Sequence, residues 1–266
     1  MNILNKIILW LDSYVDRPPL YGFYHLSWVF GLIIACIVFA FLSKKYNKEK
    51  LCKTTLLISW ILLIVLEIIK EFLRGYSIDG NNKIHFSYNF MYFPYQLCSL
   101  PFYVLPFVIF IKDYKIKKYF VSATVSFILL GGMLFVLFPG GLKNNLYLNF
   151  HTMIHHTLQV FTSFVCIIWY QEKMSFREFF NSIIPIIIGM VSAILMNVIL
   201  YKITDVSVQF WNLSPYVVFD MEILERIRGA IGYIPYVIVY FILLSILSFI
   251  VYMVPVLFKK KQTVEE

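Results

Sequence analysis

Charged residues are scarce in this chain of 266 residues. Asp, Glu, Lys and Arg make up 14% of the sequence, whereas 60% of the residues are hydrophobic and the mean hydropathy is +0.76. A soluble domain carries about 25% charged residues, because its surface must face water. The composition excludes an ordinary soluble protein and predicts an all-α integral membrane protein, since helices satisfy their own backbone hydrogen bonds in lipid.

A secretory signal peptide, an internal repeat and a low-complexity linker are also missing. The first apolar stretch, residues 3–11, is short, contains Lys6 and is not followed by a small-residue cleavage site. Its apolar residues, with Tyr14, recur at helical spacing, which is typical of an amphipathic helix at a membrane surface. We therefore predict three parts: an interfacial segment 1–22, a transmembrane domain 23–258 and a charged cytoplasmic tail 259–266.

Long apolar runs dominate the rest of the chain. A helix needs about 20 mostly apolar residues to cross the roughly 30 Å hydrocarbon core of a bilayer. This criterion predicts a bundle of seven transmembrane helices at residues 24–43, 54–73, 94–112, 119–138, 151–170, 179–202 and 232–257. The short connection 112–118 makes the third and fourth spans antiparallel neighbours. In the loop 203–231, Ser214-Pro215 favours the start of a short helix, which we expect on the outer surface as a lid.

The net charge of +8 indicates an orientation. Fourteen of the 23 Lys and Arg residues fall in the loops after spans 1, 3 and 5 and in the tail, and nine fall on the other side. The positive-inside rule then puts the N-terminus outside and the C-terminus in the cytoplasm of a multi-pass cell-membrane protein. This distribution, with attraction to anionic lipids, explains the basic excess. We therefore expect membrane lipids as partners and no nucleic acid, and the oligomeric state stays open.

Polar side chains within the predicted spans gather near the outer ends. An ionisable residue at the centre of a membrane helix costs roughly 2.5–3.5 kcal/mol on insertion scales, so each is a candidate functional residue. At 1.5 Å per residue, Cys98 and His156 lie about 7 and 8 Å inside the outer ends of their spans. The sequence thus predicts an outward-facing cavity. Its candidate lining residues are His25, Glu67, Lys70, Glu71, Arg74, Gln96, Cys98, His151, His155, His156 and Asn197.

Among the four cysteines, Cys98 alone shares this depth. A cysteine in a membrane helix is commonly a small apolar filler. Neighbouring histidines favour a nucleophile instead, because an imidazole can take the thiol proton. Glu67 or Glu71 would orient the imidazole, and Lys70 or Arg74 would bind a phosphate headgroup. The alternative for these four charged residues is a stripe of ion pairs within one helix.

Two histidines have a spacing that suits a metal ion. His151 and His155 are four residues apart on one helix face, whereas His156 points about 100° away from His155. The chain offers three candidates for a third ligand: Cys98, His25 and Glu67. Because these residues form no recognised metal motif, we expect no cofactor, and zinc is the less favoured alternative.

Several short motifs resemble one family. They are Phe93-Pro94-Tyr95-Gln96-Leu97-Cys98, Phe138-Pro139, His155-His156, Asn197 and Gly232-Tyr233-Ile234-Pro235-Tyr236. In these motifs the chain resembles the YwaF-like family of bacterial integral membrane proteins, which is related to a vertebrate transmembrane acyltransferase acting on ether phospholipids. Two features depart from the family. Tyr95-Gln96 stands where a Leu-His pair is usual, and the late Asn-Tyr dipeptide is split between Asn197 and Tyr201.

The resemblance implies a Cys–His acyl-transfer site at Cys98 and His156, with His155 as the neighbouring candidate, in a bacterial plasma membrane. The leading hypothesis is therefore a lipid acyltransferase or lipid acyl hydrolase. A second hypothesis is a carrier or receptor-like protein that binds a small polar or lipid ligand in the same cavity without chemistry. A third is a zinc-dependent membrane hydrolase.

Overall fold

Helices form most of the chain in this computed structural model, which describes residues 3–78, 84–217 and 222–258. The helices are α1 (Ile3–Leu11), α2 (Phe23–Lys45), α3 (Lys48–Gly75), α4 (Leu100–Phe110), α5 (Tyr114–Leu137), α6 (Leu146–Tyr170), α7 (Phe176–Thr204), α8 (Glu222–Ile231) and α9 (Tyr233–Leu257). A hairpin of two short strands, β1 (Tyr76–Ile78) and β2 (Ile84–Phe86), follows α3. The predicted tail, 259–266, lies outside the described residues.

Five helices in the described residues are long and apolar enough to cross a membrane: α2, α5, α6, α7 and α9. They coincide with five of the predicted spans. Helix α3 covers the predicted second span but is not among the five, and charged residues lie along its last two turns. An all-α integral membrane fold is confirmed, and the count of seven spans stays a prediction.

The predicted third span is shorter than expected. Residues 94–96 are not helical, a single 3-10 turn covers Leu97–Ser99, and α4 then ends at Phe110. Pro101 explains the late start. Proline lacks the N–H that a helix interior needs but is favoured in the first turn of a helix, where Pro101 lies. The apolar segment Leu97–Phe110 has 14 residues and extends about 21 Å. Gln96 therefore lies before the helix, and Cys98 lies in the turn that begins it.

Two other helices begin five residues earlier than predicted. The side chain of Asp113 accepts a hydrogen bond from Lys115 N at the start of α5, and Asn145 accepts one from Leu148 N at the start of α6. Asp and Asn are favoured at this position because they satisfy backbone N–H groups of the first turn. His156 therefore lies about 15 Å from the start of its helix, rather than the 8 Å predicted.

Helix α6 occupies the centre of the bundle and packs against α2, α3 and α5. Helix α5 packs in turn against α4, as the short connection predicts, and against α7 and α9. The contact between α5 and α6 depends on Gly132, where a β-carbon would lie 2.8 Å from Gln159 Cβ. The missing side chain lets the two helices approach at the level of the polar residues of α6.

The segment after α7 folds back into the bundle, although the sequence predicts an external loop. Val208, Phe210, Trp211 and Leu213 are almost fully buried. A short helix does follow, but residues 215–217 are not helical, so the predicted start at Ser214-Pro215 is wrong. Residues 218–221 are outside the described residues. Helix α8 has no buried residue, so it lies on the surface.

The N-terminal segment is helical over α1 and then irregular, so Tyr14 lies beyond the helix. Ile8 packs against Leu73 of α3 and Tyr147 of α6. Ile3 and Trp10 remain exposed. The helix is therefore amphipathic, and its position in a membrane interface stays a prediction.

Candidate functional site

A polar cavity of about 230 Å³ lies between α3, α6 and the residues that precede α4. The exposed side chains of Met91 and Tyr92 belong to its lining. The lining residues are Glu67, Lys70, Met91, Tyr92, Phe93, Pro94, Gln96, Cys98, Ser99, Leu148, His151, Thr152, His155 and His156. Three separate stretches of sequence thus meet around one space.

This cavity brings together seven of the side chains that the sequence predicts to share a site. They are Glu67, Lys70, Gln96, Cys98, His151, His155 and His156. Four other candidates, His25, Glu71, Arg74 and Asn197, do not line it. All four cysteines lie in the described residues and are free, and Cys98 is the one that lines this cavity.

The backbone carbonyl of Cys98 is held by two side chains of α6. His155 Nε2 lies 2.9 Å from the Cys98 oxygen, and Gln159 Nε2 donates a hydrogen bond to the same oxygen. Because a carbonyl only accepts, His155 Nε2 carries a proton. His155 Nδ1 is buried and has no hydrogen-bond partner in the part of the chain that the structure describes. His155 therefore contacts the Cys98 peptide through its carbonyl oxygen.

His156 contacts the other end of the same glutamine. Its Nδ1 lies 3.1 Å from Gln159 Oε1, and its ring stacks on Phe135 at 4.0 Å between centroids. Since the amide nitrogen of Gln159 faces Cys98, its oxygen faces the histidine, so His156 Nδ1 carries a proton. In the neutral ring, Nε2 then keeps its lone pair. This tautomer is the one that a general base on the Nε2 side requires.

Gln159 is the residue that the sequence-based prediction misses. It follows His156 by three residues on α6, a spacing that places two side chains next to each other on a helix. It is 1% exposed and links the Cys98 peptide to His156. The i, i+3 spacing indicates that Gln159 lies beside His156. Spacing alone does not show which residue of another helix Gln159 contacts.

The acidic residue of the cavity pairs with the third histidine. Glu67 Oε2 lies 2.9 Å from His151 Nε2, and Glu67 Oε1 accepts a hydrogen bond from Lys70. Lys70 Nζ also lies 3.2 Å from Glu71 Oε1 and donates to the Tyr92 carbonyl at 3.2 Å. Glu67 thus orients His151 rather than His155 or His156. Glu67, Lys70 and Glu71 form ion pairs within α3, as the alternative for the charged residues of this helix expects.

Three side chains in the cavity have a geometry that could hold a metal ion. One potential ligand atom from each of Glu67, His151 and His155 lies within 4.8 Å of the other two. Carboxylate and imidazole are zinc ligand types. However, His151 and Lys70 already engage the two carboxylate oxygens, and an ammonium beside Glu67 repels a second cation. The cluster is therefore better suited to its present ion pairs.

The remaining candidates make structural contacts. Arg74 Nη2 lies 2.7 Å from Asp12 Oδ1, which ties α3 to the N-terminal segment. His25 Nε2 lies 2.7 Å from the Val136 carbonyl, which ties α2 to α5. Neither residue belongs to the cluster of Glu67, His151 and His155, and neither lines the cavity that contains Cys98. Both predicted roles, phosphate contact for Arg74 and metal ligand for His25, lack support in the geometry.

Gln96 and Asn197 anchor the segment that folds back after α7. The Gln96 amide donates to the Gln209 carbonyl at 2.8 Å and accepts from Trp211 N at 3.2 Å. Asn197 makes the same pair of contacts with the backbone of Phe210, at 3.2 and 2.9 Å. Gln96 also lines the cavity, so it serves both the fold and the site.

The fold and the cavity define a class: a multi-pass α-helical membrane protein with a polar site built from cysteine, histidines and a carboxylate. Residues 20–253 match the TMEM164 family, a family of transmembrane proteins, and the chain belongs to that family. TMEM164 itself is an ether-lipid acyltransferase. Nothing matches the chain among curated proteins or among solved structures. The family relationship confirms the broader part of the resemblance, and the YwaF-like subgroup and bacterial origin stay predictions.

Proposed function

We propose that this protein transfers acyl groups from membrane lipids through a thioester on Cys98. The observation that carries the proposal is the link formed by Gln159, which holds the Cys98 peptide with one end and orients His156 with the other. A nucleophile, a base and an orienting group are the parts that covalent acyl transfer requires. Membership of a family that includes an ether-lipid acyltransferase supports the same chemistry.

In the first half-reaction, His156 Nε2 takes the thiol proton and the Cys98 sulfur attacks the carbonyl carbon of a lipid ester. The new C–S bond forms as the C–O bond to the lysolipid breaks, and the imidazolium returns its proton to the leaving oxygen. In the second half-reaction, a lysolipid hydroxyl loses its proton to His156 and attacks the thioester, which releases the thiol. With water as the acceptor, the same steps release a free fatty acid.

The other lining residues take supporting roles in this proposal. His155 fixes the Cys98 peptide through its carbonyl. Glu67 and His151 form a polar part of the cavity lining beside His155. Lys70, which also lines the cavity, would face a phosphate headgroup. Arg74 is left out, because it pairs with Asp12 and does not line the cavity. No metal ion is required for any of these steps.

We further propose that α3 and α4 also cross the membrane, which gives seven spans. The N-terminus would be outside and the C-terminus in the cytoplasm of a bacterial plasma membrane. The lysine-rich stretches 44–53 and 112–118, at the α2–α3 and α4–α5 connections, support this orientation, because basic residues there favour the cytoplasmic side. The polar cavity would then open toward the outer leaflet, where its lipid substrates would lie.

Replacement of Cys98 tests the proposed chemistry. Purified protein in phospholipid vesicles is incubated with a phospholipid that carries an alkyne-tagged acyl chain, and acylated protein is detected with and without hydroxylamine, which cleaves thioesters. We expect hydroxylamine-sensitive labelling of the wild type and none in Cys98→Ala. Cys36→Ala is the matched control, because Cys36 lies in α2 and does not line the polar cavity. It should be labelled like the wild type.

This labelling, together with lipid-binding and chelator measurements, distinguishes the alternatives. Labelling that persists in Cys98→Ala contradicts the proposal. A carrier predicts that Cys98→Ser binds lipid as the wild type does, with no acylated protein and no product in either. A zinc hydrolase is indicated instead if product formation stops when a chelator is added and returns with zinc.

A further inference from the structure

A second cavity, of about 300 Å³, adjoins the polar one and is almost entirely apolar. It lies between α4, α5, α7 and the segment that folds back after α7. Its lining residues are Tyr95, Gln96, Leu100, Tyr103, Val104, Phe107, Phe120, Pro185, Ile188, Gly189 and Trp211. Gln96 lines both cavities, so the two spaces are neighbours at a residue that precedes Cys98 by two positions.

The apolar cavity follows the axis of α4. Leu100, Val104 and Phe107 are spaced at i, i+4 and i+7, so they lie on one face of this helix. They extend about 10 Å along the helix in the direction away from Cys98. Membrane helices are tilted on average by about 20° from the bilayer normal, so a slot along α4 runs nearly parallel to lipid chains.

One side of this cavity faces the surface of the bundle. Phe107 is 44% exposed and Ile188 is 64% exposed, and both line the cavity. Ile188 lies near the middle of α7, which is long and apolar enough to span the membrane. Its exposed surface is therefore at the depth of the hydrocarbon core, where a lipid chain could enter sideways.

Trp211 supplies a second reason to expect a ligand. The side chain is 2% exposed, and its Nε1 is buried with no acceptor among the described residues. A buried N–H without an acceptor costs free energy, and an ester or ether oxygen of a lipid would satisfy it. Trp211 N also bonds to Gln96 Oε1, so this residue lies beside the junction of the two cavities.

We propose that this apolar cavity holds the acyl chain that is transferred at Cys98. The inference rests on the proposed function, because it assigns the chain of the substrate whose ester carbonyl lies at the sulfur. A third cavity, of about 450 Å³, is also apolar but meets the polar cavity at Glu67 and Pro94. A chain in that cavity would bring its ester to the Glu67–His151 pair, whereas a chain along α4 brings it to Cys98.

Photo-crosslinking tests the position of the chain without requiring turnover. A phospholipid with a diazirine near the end of one acyl chain is added to vesicles that contain the protein, and crosslinked peptides are identified by mass spectrometry. We expect crosslinks within 100–107 and 185–189. Val104→Phe fills the slot and should abolish them. Ile64→Phe, the same kind of substitution in the third cavity, should leave them unchanged.

Chain-length preference gives a second measurement. Removal of space for one methylene costs about fourfold in binding, which is about 0.8 kcal/mol. Val104→Phe should therefore shift the acyl donors toward shorter chains, and Val104→Ala toward longer ones. Crosslinks to the Ile64 and Phe72 region instead, or an unchanged profile in both Val104 variants, would overturn the inference while Cys98 acylation continues. Crosslinks along α4 in a protein that is never acylated would overturn the proposed function alone.

Discussion

At the scale of single residues, one side chain accounts for most of the order in the polar cavity. Gln159 donates to the Cys98 carbonyl and accepts from His156, so a single amide sets both the position of the cysteine and the tautomer of the base. His155 adds a second bond to the same carbonyl. In the proposed mechanism, His156 therefore transfers protons and His155 positions the Cys98 peptide.

Replacement of Gln159 by Ala should lower kcat by about 100-fold, because a misplacement of reacting groups by about 1 Å can cost that much. KM should change little, because Gln159 does not line either cavity that we assign to the substrate. His156→Ala should lose more, about 100- to 10,000-fold, as expected for a general base. Steady-state kinetics with a lysolipid acceptor measure both. A Gln159 variant that raises KM at unchanged kcat would contradict the positioning role.

At the scale of elements, the turn before α4 and the segment after α7 build the site together. Pro101 lies in the first turn of α4, so Cys98 lies in the turn before this helix rather than inside it. Gln96 then bonds to the backbone of residues 209 and 211, which holds Trp211 in the lining of the apolar cavity. Amphipathic patterns predict the helices, but they do not describe a non-helical segment that returns to the core and is held there by side-chain-to-backbone bonds.

Asn197 tests how much this returning segment contributes to stability. In Asn197→Ala, the N–H of Phe210 loses its partner in a buried place, whereas its C=O still accepts from Leu213 N. An unsatisfied buried group costs about 1–3 kcal/mol. We expect a clearly lower free energy of unfolding in detergent micelles, measured by thermal or denaturant unfolding. Asn181→Ala is the control, because that amide bonds to the Glu178 side chain instead. Equal stability of the two variants would contradict this role.

At the scale of the whole molecule, α6 is central and carries three histidines and Gln159, while α3 and the turn before α4 face it. A site in this place is enclosed by helices on several sides. In our proposal, a lipid chain reaches it through the apolar cavity. This arrangement suits a reaction on a molecule that has a polar headgroup and an apolar chain.

The proposed orientation can be measured with single cysteines in a cysteine-free background. Lys143 and Lys50 both have exposed side chains, in the connections before α6 and near the start of α3. A membrane-impermeant maleimide added to intact cells should label Lys143→Cys, and it should label Lys50→Cys only after permeabilisation. The reverse pattern would show that the basic loops are outside. Labelling of both in intact cells would contradict an odd number of spans between these positions.

The sequence by itself determined that this protein lies in a membrane, because a chain with 14% charged residues has too few of them to cover a water-facing surface. It also placed the helices of the bundle and selected seven of the residues that share the polar cavity, since polar groups in apolar runs are few and costly. Only the tertiary structure decided the partners of those residues. Helical spacing states which side chains share a face, but it does not state which face of another helix they meet. Hence Gln159 was missed, Glu67 was found beside His151, and Arg74 and Asn197 proved to hold the fold rather than line the cavity.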